Sequence, residues 1–189
     1  MLLRVLNIVV QVTILGTLVG IVVSLLTLGF VYGVEEISSF RESYGFCSLV
    51  IFDNCFSYSP LAFLFISAII ILTVKKTLHI SRYHGPADVI LTAHSNAESL
   101  DPKTGFLSTF AAFVSASGGA SVGQYGPLVH LGGTIGNLIN KFTPGLLSKD
   151  TFIGCGVAAA ISAGFSSPIG GIIFAHEAIL RHFSFKAIA

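Results

Sequence analysis

A glycine- and proline-containing stretch inside an apolar region is the part of the sequence best suited to bind a ligand. It reads GQYGPLVHLGG over residues 123–133 and carries no charge. Pro127 suits the first residue of a helix, where its missing N–H costs nothing, and Gly123 and Gly126 let a ligand approach the backbone closely. Because a helix start offers unpaired N–H groups and the positive end of the dipole, we predict an anion site here. The predicted donors are the backbone N–H groups of Gln124, Tyr125, Gly126 and Leu128.

Two further helix starts are predicted at prolines. His84-Gly85-Pro86 opens a short apolar segment, and Ser167-Pro168 interrupts a later one. Each segment alone is equally consistent with a re-entrant turn or an interhelical loop, but three such starts in one apolar chain favour a pathway lined by helix ends. We therefore add His84 and Gly85 to the predicted anion-binding residues. For His84, the alternative is a histidine that merely lies at a cytoplasmic helix entrance.

The spacing of charges indicates which elements position these helix starts. Uncharged runs of 30, 21, 37 and 26 residues follow Arg4, Asp53, Lys103 and Asp150. A spanning helix needs roughly 20 apolar residues, so the first run predicts one long, tilted helix and the second an ordinary span. The last two runs contain Gly and Pro, and we predict that each forms a pair of shorter helices meeting inside the membrane, covered by protein or a water-filled cavity. The predicted fold class is an all-α integral membrane protein with tilted and broken helices.

Glycine pairs four residues apart predict close helix contacts, since small residues let helix backbones approach each other in lipid. Each pair is weak evidence alone, because such spacings also arise by chance in a glycine-rich chain. The pairs are Gly16 and Gly20, Gly29 and Gly33, and Gly132 and Gly136.

The composition supports a membrane protein and argues against other classes. Hydrophobic residues make up 53% of the chain and charged residues 10%, against about 25% charged in soluble domains. A net charge of +1 without basic–aromatic interleaving argues against a nucleic-acid partner. The segment HEAIL at His176 lacks the second histidine of a zincin helix, and the other histidines show no metal-ligand spacing. We therefore expect no metal, no cofactor and no enzyme activity.

The distribution of Lys and Arg predicts a cytoplasmic N-terminus. With residues 101–104 outside and 141–150 inside, eight of the ten Lys and Arg residues lie on the cytoplasmic side, as the positive-inside rule requires. This orientation places Cys47 and Cys55 outside, where an oxidising compartment would allow a disulfide. Two unpaired thiols are the alternative.

Two long segments carry a family resemblance. GQYGPLVHLGGTIGN is similar to the pattern G-[KR]-E-G-P followed by an apolar residue and V-x-[IL]-G. At matching spacing, GVAAAISAGFSSPIGGIIFAHEAIL is similar to a small-residue segment followed by F-x-[AS]-P-x-[AG]-G-[IV]-x-F-x-x-E. Both patterns belong to the CLC family of chloride channels and proton-coupled chloride transporters. The resemblance covers roughly residues 82–186, and the first 80 residues match in hydropathy alone.

The resemblance implies a transport domain of two halves with inverted topology, in which anions bind midway at helix N-termini. Residues 1–189 would supply the first half, so we expect a fragment whose second, C-terminal half is missing. The implied partners are chloride or a similar anion as the transported ion, the lipid bilayer, and a second copy in a homodimer.

The chain departs from the family's pattern at residues that handle charge. Tyr125 stands where the family has a glutamate that acts as gate and proton carrier, and Gln124 stands where it has a basic residue. A tyrosine, with a reference pKa of about 10, stays neutral and does neither job easily. Glu177 matches the first acid of the family's inner pair, with Ala178 at the second, so Glu177 is the candidate inner carboxylate. The family's G-S-G-I-P motif falls near YHGPA, which puts His84 at about the place of its serine.

These losses favour passive anion conduction, with Tyr125 at the gate position. Two alternatives remain open at this point. One is a chloride–proton antiporter, and the other is a degenerate, non-conducting membrane protein in which Tyr125 is a permanent plug.

Overall fold

The computed structural model describes residues 2–43, 47–51, 54–57, 59–95, 100–143, 145 and 147–180, with side chains from residue 9 onward except in 44–59. Across these ranges the chain is almost entirely helical. The helices are α1 (Leu2–Ser43), α2 (Ser59–Thr77), α3 (Pro86–His94), α4 (Pro102–Ser117), α5 (Tyr125–Phe142), α6 (Lys149–Phe165) and α7 (Pro168–Phe174), which continues as a π-helical segment (Ala175–Leu180). The predicted helical membrane fold is confirmed.

A short hairpin between α1 and α2 is an element that the sequence analysis did not predict. Strands β1 (Cys47–Ile51) and β2 (Asn54–Ser57) pair antiparallel, with Cys47 opposite Ser57 and Val50 opposite Cys55. The predicted disulfide between Cys47 and Cys55 falls on side chains outside the described ones, so it stays a prediction.

The first two helices are long, apolar and largely uncovered. The most apolar 18-residue window of Val9–Ser43 has a mean hydropathy of 2.5, and Pro60–Thr77 has one of 1.7. Both helices are long enough to cross a membrane. Large side chains on their outer faces, such as Leu25 and Phe65, are 66% and 70% exposed. An apolar surface of this kind is stable in lipid and costly in water.

Both predicted helix breaks are present. Residues 118–124 separate α4 from α5, and Ser166 and Ser167 separate α6 from α7. Gly118, the C-cap of α4, lies so close to Ser67 that a Cβ atom would overlap its side chain. Because Ser67 lies near the middle of α2, the α4–α5 break lies deep within the span of that helix.

Helices α5 and α6 form the closest helix pair, and glycines allow it. A Cβ atom on Gly132 or Gly136 would overlap the α6 backbone at Gly156 or Phe152, and one on Gly156 would overlap Gly132. The predicted contact at Gly132 and Gly136 is confirmed.

The other two glycine pairs make no such backbone contact with the described residues. No described atom lies within 4 Å of a Cβ position on Gly16, Gly20 or Gly29, whereas Gly33 packs against the ring of Phe113. This pairing rule alone therefore does not identify which glycines are at a helix contact.

The start of α4 lies at an end of the bundle opposite to the one predicted. The carbonyl of Leu100 accepts a 3.3 Å hydrogen bond from Asn137 near the end of α5, and the carbonyl of Ser95 accepts a 2.8 Å bond from Lys149 at the start of α6. The start of α4, the end of α5 and the start of α6 are therefore on the same side, and placing 101–104 opposite 141–150 was wrong. The reason is that α3 has only nine residues and starts inside the bundle, so it returns to the same end instead of crossing.

Two apolar clusters fix the helices that carry the broken ends. One joins α3, α5, α6 and the π-helical segment and contains Val89, Val129, Ile153, Val157 and Ile179. The other joins α1, α5 and α6 and contains Val19, Val23, Leu128, Leu131 and Phe152. Helix α5 is thus held on both sides, which fixes the position of its N-terminus.

Candidate functional site

The N-terminus of α5 begins two residues earlier than the sequence suggested. Gln124 is the N-cap and Tyr125 the first helical residue, so Pro127 is the third. The carbonyl of an N-cap accepts the first intrahelical hydrogen bond, which here comes from Leu128. Leu128 is therefore not a free donor, and including it was wrong. Within the described ranges, the N–H groups of Gln124, Tyr125 and Gly126 donate to no protein acceptor.

The N-terminus of α3 lies beside that of α5. Pro86 is the first residue of α3 and Gly85 its N-cap, as predicted. A Cβ atom on Gly126 would lie 3.6 Å from Cγ of Pro86, which is ordinary van der Waals contact. The structure thus brings together the predicted residues His84 and Gly85 with those at the start of α5.

The donors at the start of α3 are already used. The N–H of His84 donates to Oγ of Ser108 at 2.8 Å, and the N–H of Gly85 donates to Oδ2 of Asp88 at 2.8 Å. Asp88 is also ion-paired with Arg82. The anion at this helix start is therefore the protein's own carboxylate, which leaves α5 as the start with unused donors.

Sequence reasoning missed Asp88, although a signal for it was present. An acidic residue three positions after an N-cap is a familiar partner for the N-cap N–H. Gly85-Pro86-x-Asp88 has that spacing.

Tyr125 points its ring toward the end of α6. The ring stacks on Phe165 with centroids 3.8 Å apart and an interplanar angle of 21°. Gly164 provides the space, since a Cβ atom there would lie 3.1 Å from Cε1 of Tyr125. An aromatic stack of this kind favours one ring position, so Tyr125 is held at the junction of two helix breaks.

The third predicted helix start, at Ser167-Pro168, satisfies its own N-terminus. Pro168 is the first residue of α7, and Oγ of Ser167 accepts the N–H of Gly170 at 3.3 Å. The start of α7 therefore offers fewer free donors than that of α5.

Glu177, the candidate inner carboxylate, is exposed on the π-helical segment. It lies close to the end where α3 finishes, because Nε2 of His94 lies 3.1 Å from the carbonyl oxygen of Leu180.

His130 is a buried residue that the sequence gave no reason to select. It lies on α5, is fully buried, and has its ring centroid 5.7 Å from that of His84. His130 lies close to His84 because α3 packs against α5. The local sequence around either histidine does not predict that packing.

Comparison with known proteins places this arrangement in a family. A family model described as "Voltage gated chloride channel" matches residues 63–189. The chain belongs to this family. The resemblance seen in the sequence is therefore confirmed, and the apolar helices belong to an integral membrane protein.

Members of the voltage-gated chloride channel family match the chain over part of their length. Chloride channel protein CLC-c of Arabidopsis thaliana is 33% identical over 92 residues, which cover 41% of this chain and 12% of that protein. H(+)/Cl(-) exchange transporter 5 of Homo sapiens is 30% identical over 86 residues, or 43% of this chain and 10% of that protein. The Cavia porcellus protein of the same name is also 30% identical over 86 residues. The chain spans about a tenth of the length of these relatives.

Proposed function

We propose that the protein conducts chloride or a similar small anion passively across a membrane, with the α5 start as an anion site. The observation that carries this proposal is a set of N–H groups, at Gln124, Tyr125 and Gly126, that donate to none of the described residues. They lie at a helix break deep in the bundle. Such a helix end carries roughly half a positive charge, so it attracts an anion without a formally charged side chain.

The neutral residues around this site support passive conduction. A glutamate at the position of Tyr125 would compete with the anion when ionised and carry a proton when neutral. Tyr125 and Gln124 do neither at neutral pH, because neither side chain is charged. One relative is named an H(+)/Cl(-) exchange transporter, so proton exchange is the rival that an experiment has to separate.

We also propose that residues 1–189 form the first half of the transport domain, that the second half follows in the full-length protein, and that two copies assemble. The small share of each relative that the chain spans supports this. Residues after Ala189 that contain an aromatic G-x-F-x-P segment would support it further.

The proposed orientation has a cytoplasmic N-terminus. With the α3–α4 connection at the same end as 141–149, Lys103 joins the cytoplasmic set. Nine of the ten Lys and Arg residues then lie inside, with Arg41 as the exception, which strengthens the charge bias on which the orientation rests.

Anion flux from vesicles tests the proposal. Full-length protein reconstituted in liposomes loaded with potassium chloride should release chloride when valinomycin carries the balancing potassium. Matched liposomes loaded with potassium gluconate should retain gluconate. Protein-free liposomes provide the background. Chloride release no faster than that background would contradict conduction.

A further inference from the structure

A pair of histidines behind the α5 start has ring nitrogens with no hydrogen-bond partner in the described part of the chain. His130 is fully buried, and both its Nδ1 and its Nε2 lack a partner among the described residues. Nδ1 of His84 is buried and unpartnered in the same way. The two rings meet edge to face, at an interplanar angle of 73°.

Such an arrangement is unusual for a closed protein interior. Buried polar atoms are nearly always hydrogen-bonded, and a neutral imidazole has one N–H to donate and one lone pair to satisfy. A buried histidine without either partner therefore indicates a small species that the protein alone does not supply. A protonated ring would offer N–H donors on both nitrogens, which suits an anion.

The position of the pair connects it with the anion site. His130 lies five residues after Tyr125, about 7.5 Å along the axis of α5. On the α4 side, a Cβ atom on Gly105 would lie 3.2 Å from Cε1 of His130, and Ser108 accepts the N–H of His84. The rings thus lie among α3, α4 and α5, toward the end of the bundle that carries Lys141 and Lys149.

The carboxylates near the pair already bind other groups of the protein. Asp88 on α3 is paired with Arg82, so its charge is largely compensated. Asp101, at the start of α4, accepts the N–H of Thr104. Helix α5 itself has no charged residue before Lys141. A proton added to the rings therefore introduces a buried charge, which is costly unless a counter-charge enters with it.

We propose that His84 and His130 form a site that binds one proton together with one small monovalent anion. The proton comes from solvent and converts one imidazole to imidazolium, whose N–H donates to the anion. The anion is taken to be the chloride of the proposed function, on which this inference rests. Because binding free energies are reciprocal, chloride binds more tightly at acidic pH and raises the proton affinity of the pair.

Calorimetry on the full-length protein in detergent tests this linkage. Chloride is titrated at about pH 5.5 and about pH 8, on either side of the usual histidine range. Each titration is repeated in two buffers of different ionisation enthalpy, which counts the protons taken up. We expect chloride affinity on the order of tenfold higher at the acidic pH, with proton uptake on binding.

Histidine variants locate the effect. H130Q and H84Q should each abolish most of the proton uptake and the pH dependence while leaving chloride binding measurable. H79Q, at an exposed residue after α2, is the matched control and should behave like the wild type. If H130Q does not fold, as judged by gel filtration, H84Q alone decides the question.

The outcomes separate this inference from the proposed function. Chloride binding without proton uptake in the wild type, or proton uptake preserved in H84Q, overturns the histidine site and leaves anion conduction standing. Absence of chloride binding at both pH values overturns both proposals.

Discussion

Tyr125 is the residue on which the account of transport depends most. Its ring lies on Phe165 and against Gly164, and its hydroxyl makes no hydrogen bond to the described residues. Within the described residues, Tyr125 therefore contacts the protein through its aromatic ring. Its hydroxyl is left to interact with a bound ligand. The sequence predicts that this position departs from the family's pattern, but it does not predict the stacking partner, because Phe165 lies forty residues away in the chain.

Replacing Tyr125 with glutamate should restore a competing charge. In Tyr125→Glu the carboxylate is ionised at neutral pH and binds the N–H groups of the α5 start in place of chloride. We expect chloride flux to fall at pH 7 and to recover as the pH approaches the carboxyl pKa of about 4.3. Flux from liposomes as a function of pH measures this, and unchanged flux at every pH would show that the side chain does not face the anion.

Two further variants at Tyr125 separate the contribution of the hydroxyl from that of the ring. Tyr125→Phe keeps the stack on Phe165 and should conduct within about twofold of the wild type, because a single unpaired hydroxyl contributes little. Tyr125→Ala removes the ring. Conduction that appears only in Tyr125→Ala would identify the tyrosine as a plug and contradict conduction by the native protein.

Asp88 and His130 show how far residue types alone predict a site. Asp88 follows a local capping rule and was within reach of sequence reasoning. His130 was not, because its significance comes from its distance to His84 and its burial, both set by how α3 packs on α5.

At the scale of the helices, the lengths of the uncharged runs and the positions of Gly and Pro predicted most of the architecture. The uncharged runs after Lys103 and Asp150 divide into α4–α5 and α6–α7, at the glycines and the Ser-Pro step that the sequence indicated. The start of α5 was misplaced by two residues, since Pro127 is tolerated anywhere in a first turn, where its N–H is not needed. The end of the bundle reached by α3 was wrong, because hydrogen bonds such as that from Lys149 to Ser95 join distant segments.

The contact of α5 with α6 should be sensitive to a single methyl group. In Gly156→Ala the new Cβ atom overlaps the carbonyl of Gly132, so the helices must move apart at a cost of about 1–3 kcal/mol. A thermal unfolding experiment on the detergent-solubilised full-length protein should show a lower melting temperature.

Gly29→Ala is the control for that substitution. It makes the same change on α1, where nothing lies within 4 Å of the Cβ position, and should leave the melting temperature unchanged or slightly raised. Equal melting temperatures for Gly156→Ala and Gly29→Ala would contradict the packing described for α5 and α6.

At the scale of the whole molecule, composition and charge predicted a membrane protein. The exposed apolar faces of α1 and α2 and the family match agree with that prediction. The sequence did not predict which helix connections lie on the same side of the membrane. The positive-inside rule counts Lys and Arg over all loops together, so the count still favours one orientation when a single loop is misplaced. The corrected position of Lys103 makes the bias stronger.

Chemical labelling checks the corrected topology. Lys103→Cys and Lys141→Cys, each in full-length protein without its native cysteines, should react with a membrane-impermeant maleimide from the same side of sealed vesicles. Both residues are exposed, so accessibility does not limit the reaction. Labelling from opposite sides would restore the original placement of residues 101–104 and contradict the fold at that end.

We propose that anion movement through this protein is passive, because neither Tyr125 nor Gln124 carries a charge or releases a proton at neutral pH. The most direct measurement is chloride uptake by liposomes containing the full-length protein, with equal chloride on both sides and an imposed pH gradient. The account predicts no net chloride accumulation, although the same liposomes release chloride down its own gradient. Chloride driven uphill by the pH gradient would contradict passive conduction and establish proton exchange.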